Sequence, residues 1–196
     1  MKNLILLFIC LSAGLQFCAA QSTSKKEFYS KDFNWRIIIP ENYIAMDSAE
    51  MAIIEREGAA AIDKANNTKV ENHATLVFSF KSDKLNNFQC SYQPFDPAVD
   101  GNFLAAWKGV NNILYKTFTT QLQGVKVDTA TTVEKISDLE FHTFKATVTY
   151  PNKLVLHMLM YSRLFDKREF MVDIVYEDEV KGQQMLNAWK GSIFGK

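Results

Sequence analysis

The sequence predicts an α+β domain in which a mostly antiparallel sheet is sandwiched between helices. Three observations carry that prediction. The last third of the chain alternates short apolar strands with turn residues, the pattern of a strand meander. One of those strands, Leu154 to Tyr161, is apolar at both parities and therefore needs cover on both faces. Helical stretches with apolar residues three and four apart are available to supply that cover.

The chain opens on an export signal. Lys2 gives a short positive start, and Leu4 to Leu15 form an apolar run broken only by small residues. The run is too short to span a bilayer, which takes about 20 apolar residues. Cleavage after Ala20 places Ala20 and Cys18 at the two small-residue positions before the cut and leaves Gln21 as the new N-terminus. The alternative is a lipid anchor on Cys18, for which the bulky Phe17 just before it and Gln16 are a poor match. The expected organisation is thus a signal peptide over residues 1–20, a flexible leader over 21–27 and one domain over 28–196. The expected location is periplasmic or extracellular.

The elements follow in order. "FYS" and "FNWRIIIPENY" form a hairpin turning at Lys31 and Asp32, with Phe33, Trp35, Ile37 and Ile39 on one face. Asp47 and Glu50 have capping-box spacing for a helix whose stripe is Met51, Ile54, Gly58, Ile62 and Ala65. "ATLVFSFKS" and "NNFQCSYQPFD" are two strands joined by a polar turn, and Pro94, Pro97 and Gly101 mark a loop. A long helix follows, with Phe103, Trp107, Val110, Leu114, Phe118 and Leu122 on its apolar face and Gly124 as its stop. Its polar side, Lys108, Asn111, Asn112, Lys116 and Thr119, reads as a solvent face. Four meander strands turn at Ser137–Asp138, Pro151–Asn152 and Asp166–Lys167. Asp178 then caps a last helix that lays Val180, Met185, Leu186, Trp189 and Phe194 on the sheet.

This order, with its "F…W.I..P..Y" strand and closing "W...IF", resembles the PsbP-like α/β/α sandwich superfamily. That superfamily includes photosystem extrinsic proteins, a small Ran-binding nuclear protein and many secreted bacterial proteins of unassigned role. The resemblance spans the chain after the signal and implies the fold. It brings no catalytic signature to match, so it carries over no functional residue. What it implies about activity is a non-enzymatic binding or assembly role, since members of known function mostly bind or stabilise protein partners.

Composition narrows the function classes. The 196 residues carry 22 basic and 22 acidic side chains, and no basic cluster suited to nucleic acid occurs. Cys10 and Cys18 leave with the signal, so Cys90 remains alone and stability must come from packing. Cys90 shares parity with Phe88 and Tyr92 and reads as a core thiol, not a nucleophile. His73, His142 and His157 are scattered, without CxxC or HExxH spacing, so neither a metal nor a cofactor is expected. His142 and His157 have the parity of core residues. The carboxylates Glu177 to Glu179 suit a helix N-terminus, and Arg163, Lys167 and Arg168 form a basic hairpin tip.

The one acid/base candidate is His157 with Asp173, on strands expected to be neighbours. It carries the alternative reading of the chain as an envelope hydrolase. The leading expectation is an exported binding protein for a protein partner or small ligand. A lipid-anchored envelope component is the further alternative, with Cys18 as its lipidation site.

Overall fold

The computed structural model describes residues 26–67 and 73–195. The expected signal peptide, Cys18 and the leader up to residue 25 lie outside them. The ordered hairpin begins slightly before residue 28, because Ile39 N–H donates to the Lys26 carbonyl at 2.8 Å.

The first strands, β1 (Glu27–Ser30) and β2 (Trp35–Ile38), pair antiparallel with Trp35 and Ile37 pointing inward. Phe33 sits in the turn but is still buried. A two-residue strand β3 (Ile44–Ala45) precedes helix α1 (Ser48–Asn66), whose cap is the one expected: Asp47 accepts from Glu50 N–H at 2.8 Å. Strands β4 (Thr75–Asp83) and β5 (Asn86–Pro94) follow. The expected loop after them holds a single helical turn, α2 (Pro97–Asp100), because Asp96 caps it and Pro97 stands at its first position. Helix α3 (Phe103–Gln121), capped by Asn102, leads into β6 (Lys126–Ile136), β7 (Leu139–Thr149), β8 (Val155–Phe165) and β9 (Arg168–Tyr176). Helix α4 (Glu179–Lys190) and strand β10 (Ile193–Phe194) end the chain.

Seven strands form one antiparallel sheet in the order β3-β4-β5-β9-β8-β7-β6. The β6–β7 turn shows why the meander is so regular. Ser137 and Asp138 both adopt positive φ, 48° and 67°, the pair of left-handed residues that matches the twist of a tight hairpin. Strand β8 lies between β9 and β7 and is covered on both faces, as its apolar sequence requires.

The two faces are covered differently. One carries α4 and a second, three-stranded sheet, β1-β2-β10, that the sequence pattern does not disclose. Trp35 is the centre of that layer. It is fully buried, with the rings of Phe28, Phe170, Trp189 and Phe194 at 5.5 to 6.1 Å. Val180, expected on the sheet, is exposed, because the α4 face that turns inward runs through Gly182, Met185 and Trp189. Arg168 is no free tip residue. Its guanidinium lies 4.4 Å from the Phe33 ring and donates to the Asp32 carbonyl at 3.1 Å, clamping the N-terminal hairpin to β9.

Helices α1 and α3 pack on each other and cover the opposite face. Of the expected α1 stripe only Met51 is buried, and Ile54 faces outward. The buried side of α3 is rotated from the expected one: Val110 is exposed, while Trp107, Asn111 and Thr117 are buried. Asn111 therefore belongs to the interior and not to the solvent face. The rotation turns a polar amide towards the sheet.

Two glycines give opposite stability predictions. A Cβ on Gly182 would collide with the Tyr176 ring, so Gly182→Ala should destabilise by roughly 1–3 kcal/mol. A Cβ on Gly58 meets nothing, so Gly58→Ala in α1 should stabilise by roughly 0.5–1 kcal/mol. Urea unfolding of the two variants checks both signs.

Candidate functional site

The antiparallel register of β5 and β9 decides which side chains share a face. Gln89 stands opposite Asp173, Ser91 opposite Met171 and Gln93 opposite Glu169. These residues alternate with Phe88, Cys90 and Tyr92 on β5 and with Phe170, Val172 and Ile174 on β9, which turn to the aromatic side. On β8 the matching positions are Met160, paired with Asp173, and Ser162, paired with Met171. A polar stripe thus runs across the middle of the sheet on the face covered by α1 and α3.

The helices do not close down on it. Between them and the stripe lies a cavity of about 340 Å³, within the usual size range of small-molecule sites. Its far wall is mostly apolar, with Trp107 and Leu114 from α3 and Ile62 from α1. Asn111 is the polar exception on that wall.

The two carboxylates in the cavity are not equivalent. Glu169 is held on both oxygens: Ser162 Oγ–H donates to Oε1 at 2.5 Å and Gln93 Nε2 donates to Oε2 at 2.7 Å. Asp173 has an oxygen, Oδ1, that is buried without a hydrogen-bond partner. Burial, helped by the nearby charge of Glu169, pushes the Asp173 carboxyl up to about 7. Across the cavity, Asn111 Nδ2 is likewise buried and unpartnered. Buried polar atoms are nearly always satisfied; Asp173 Oδ1 and Asn111 Nδ2 are two of several that are not, with Trp35 Nε1 and Trp189 Nε1 on the aromatic side among the others.

The structure does not bring His157 and Asp173 together. Although β8 and β9 are neighbours as expected, Asp173 pairs with Met160 and His157 pairs with Tyr176, which puts the two side chains on opposite faces. His157 stacks on Tyr176 at 4.8 Å, with Thr147 Oγ1 at 3.3 Å from Nδ1 and Glu179 Oε1 at 3.1 Å from Nε2. The acid/base element expected from the sequence is therefore not assembled. Glu179 adds to its place in the first turn of α4 a contact with that ring.

The other sequence candidates are also placed. Cys90 is buried among aromatics, and burial, followed by the charge of Asp173, pushes its thiol well up, so no thiolate is available. His142 lies on the cavity side of the sheet, against Phe103 at 5.8 Å and Trp107 at 5.4 Å. Arg163 donates to the Glu140 carbonyl at 2.8 Å. Among the described residues no group of three or more His, Cys, Asp or Glu could hold a metal ion, and no helix is long and apolar enough to cross a membrane.

Comparison with protein-family profiles and with curated proteins finds no match. Among solved structures, the chain is similar to cyanobacterial PsbP (CyanoP) from Synechocystis, at 12% identity and a TM-score of 0.56, over 92% of this chain and 99% of that one. It is also similar to a protein of Bacteroides thetaiotaomicron, at 9% identity and a TM-score of 0.49, over 88% of this chain and 49% of that one. A third is the Ran-binding protein Mog1p of Saccharomyces cerevisiae, at 8% identity and a TM-score of 0.37, over 84% and 83%. The chain has a PsbP-like α+β fold, and at these identities the likeness speaks for the fold alone.

The Asp173 carboxyl predicts a definite pH dependence. Its pKa is raised on folding, so the folded state binds the extra proton, and stability falls as pH rises from about 4 towards 7. Asp173→Asn removes the charge, and thermal melts should show it more stable than the parent by roughly 1–3 kcal/mol near pH 8 and indistinguishable below about pH 4. His157→Ala, which loses the Tyr176 stack and two polar contacts, should lower stability by roughly 1–2 kcal/mol in urea unfolding.

Proposed function

We propose that this is an exported, non-enzymatic binding protein that takes a small ligand into the cavity between its sheet and the paired helices α1 and α3. The observation that carries the reading is the cavity itself, about 340 Å³ between sheet and helices, with apolar side chains from α1 and α3 facing a polar stripe that includes Asp173. A cavity lined in this way forfeits packing that an occupant would restore. Trp107 and Leu114, together with Met160 and Met171, give the occupant an apolar bed, and the polar stripe gives it orientation.

Export is supported by the N-terminal sequence: a positive start, a short apolar run and small residues before Gln21. The same features support a protein free of the membrane once cut after Ala20. Separation of the Asp173 carboxyl from His157 removes the support for a hydrolase reading based on that pair.

The test of the cavity uses a neutral fluorescent probe, N-phenyl-1-naphthylamine, whose emission rises in apolar surroundings. The parent protein should bind it saturably, and Ser91→Phe, which projects a ring from the cavity floor, should lower affinity by about tenfold or more while circular dichroism stays unchanged. Equal binding by a folded Ser91→Phe protein contradicts the reading. For export, expression with the chain's own leader in a bacterial host should give a soluble species beginning at Gln21 by intact mass. A membrane-bound species beginning at a lipid-modified Cys18 contradicts it.

A further inference from the structure

We infer that the ligand of this cavity is a small organic ammonium ion, an apolar body carrying a positively charged amino group that docks against Asp173. The inference rests on the cavity being a binding site, and it adds the chemical class.

Charge complementarity supplies the argument. Among the described residues that line the cavity, the ionisable carboxyls are Asp173 and Glu169, both from β9, and no Lys or Arg lines it. The elements packed around Asp173 present only uncharged partners: Gln89 and Ser91 from β5, Met160 and Ser162 from β8, Asn111 from α3. Two acids in one apolar chamber with no cation is an arrangement that a folded protein ordinarily avoids. Glu169 has its oxygens occupied by Ser162 and Gln93, which fixes its carboxylate without neutralising it. Asp173 is only partly buried and lines the cavity, so it is the exposed part of its side chain, not the enclosed Oδ1, that meets a donor there.

An ammonium group satisfies this arrangement on several counts at once. Its charge is attracted by both acids, and Asp173, partly exposed on the cavity wall, is the one open to its N–H groups. The remainder of the ligand lies against Leu114, Met160 and Met171, and Asn111 Nδ2, itself a donor, is left to an acceptor on that remainder or to water. A neutral ligand gains nothing from the charge of either carboxylate. A carboxylate ligand adds a third negative charge.

Protonation of Asp173 competes with the ligand. Burial makes that carboxyl neutral below about pH 7 in the ligand-free protein, so an ammonium ion binds to the ionised form and displaces a proton. Affinity should therefore rise with pH through the neutral range, provided the amine itself stays protonated.

The experiment compares benzylammonium, benzyl alcohol and benzoate by calorimetry near pH 8, with amide chemical-shift mapping to locate each probe. Benzylammonium should bind at the cavity at least about tenfold more tightly than benzyl alcohol, benzoate should not bind, and benzylammonium affinity should fall by up to about a hundredfold between pH 8 and pH 5. Asp173→Asn should reduce the ammonium-over-alcohol preference to within about twofold. Glu169→Gln should reduce it by a smaller factor, which guards against a folding defect in either variant. Benzyl alcohol or benzoate binding as tightly as benzylammonium overturns the ammonium assignment while leaving the cavity as a binding site. Preference retained in a folded Asp173→Asn protein overturns it too. Absence of every probe from the cavity overturns both readings together.

Discussion

The antiparallel pairing of β5 with β9 is the constraint on which the rest of this molecule depends. It sets Gln89 against Asp173 and Gln93 against Glu169 on one face, and Phe88 against Ile174 and Cys90 against Val172 on the other. Strand side chains alternate with a period of two, so a slip of β5 by one residue would drive Gln89, Ser91 and Gln93 into the aromatic layer and turn Phe88 and Tyr92 to the other side. The apolar half of the pairing locks the register. Once locked, it delivers a row of polar groups to a face that helices also cover.

The aromatic layer is what makes that lock firm. Trp35 gathers rings from β1, β9, α4 and β10, so the first and last segments of the domain meet around one side chain. The contact of Gly182 with the Tyr176 ring seats α4 close to β9, and the Arg168 guanidinium over Phe33 and Tyr92 ties the entry hairpin to the same strand. With this side closed by ring packing, the sheet can carry an incompletely filled opposite side. Trp107, Phe144 and Ala146 form a smaller core there, beside the cavity. The division of labour is physical: one face supplies stability, and the other holds polar groups at a fixed spacing.

Much of this is legible in the sequence. Alternation and turn chemistry give the four meander strands, and Asp47 and Asp178 announce their helices through side chains that do cap them. The three-stranded sheet is hidden because β10 is only two residues long and its partner is far away in sequence. The site is harder to read for a different reason. Gln89, Ser91 and Gln93 look like the solvent side of a half-buried strand, and Asn111 looks like the solvent side of an amphipathic helix, until both are known to face each other across a covered sheet. A signal does exist. A sheet whose central strand β8 demands cover on both faces, yet whose next two strands, β9 and β5, keep polar residues at alternate positions, must bury those polar residues. Likewise, neighbouring strands do not make neighbouring side chains: strand adjacency alone pairs His157 with Asp173, and only the register shows them on opposite faces.

The central claim is that Asp173 sits uncompensated on the wall of the cavity, and the most direct measurement is its carboxyl carbon shift followed by NMR across pH in the unliganded protein. The account predicts a titration midpoint near 7, which Asp173→Asn removes from the spectrum. A midpoint near the ordinary aspartate value of about 4 would contradict it, because a carboxyl that titrates like one in water is neither shielded nor waiting for a partner.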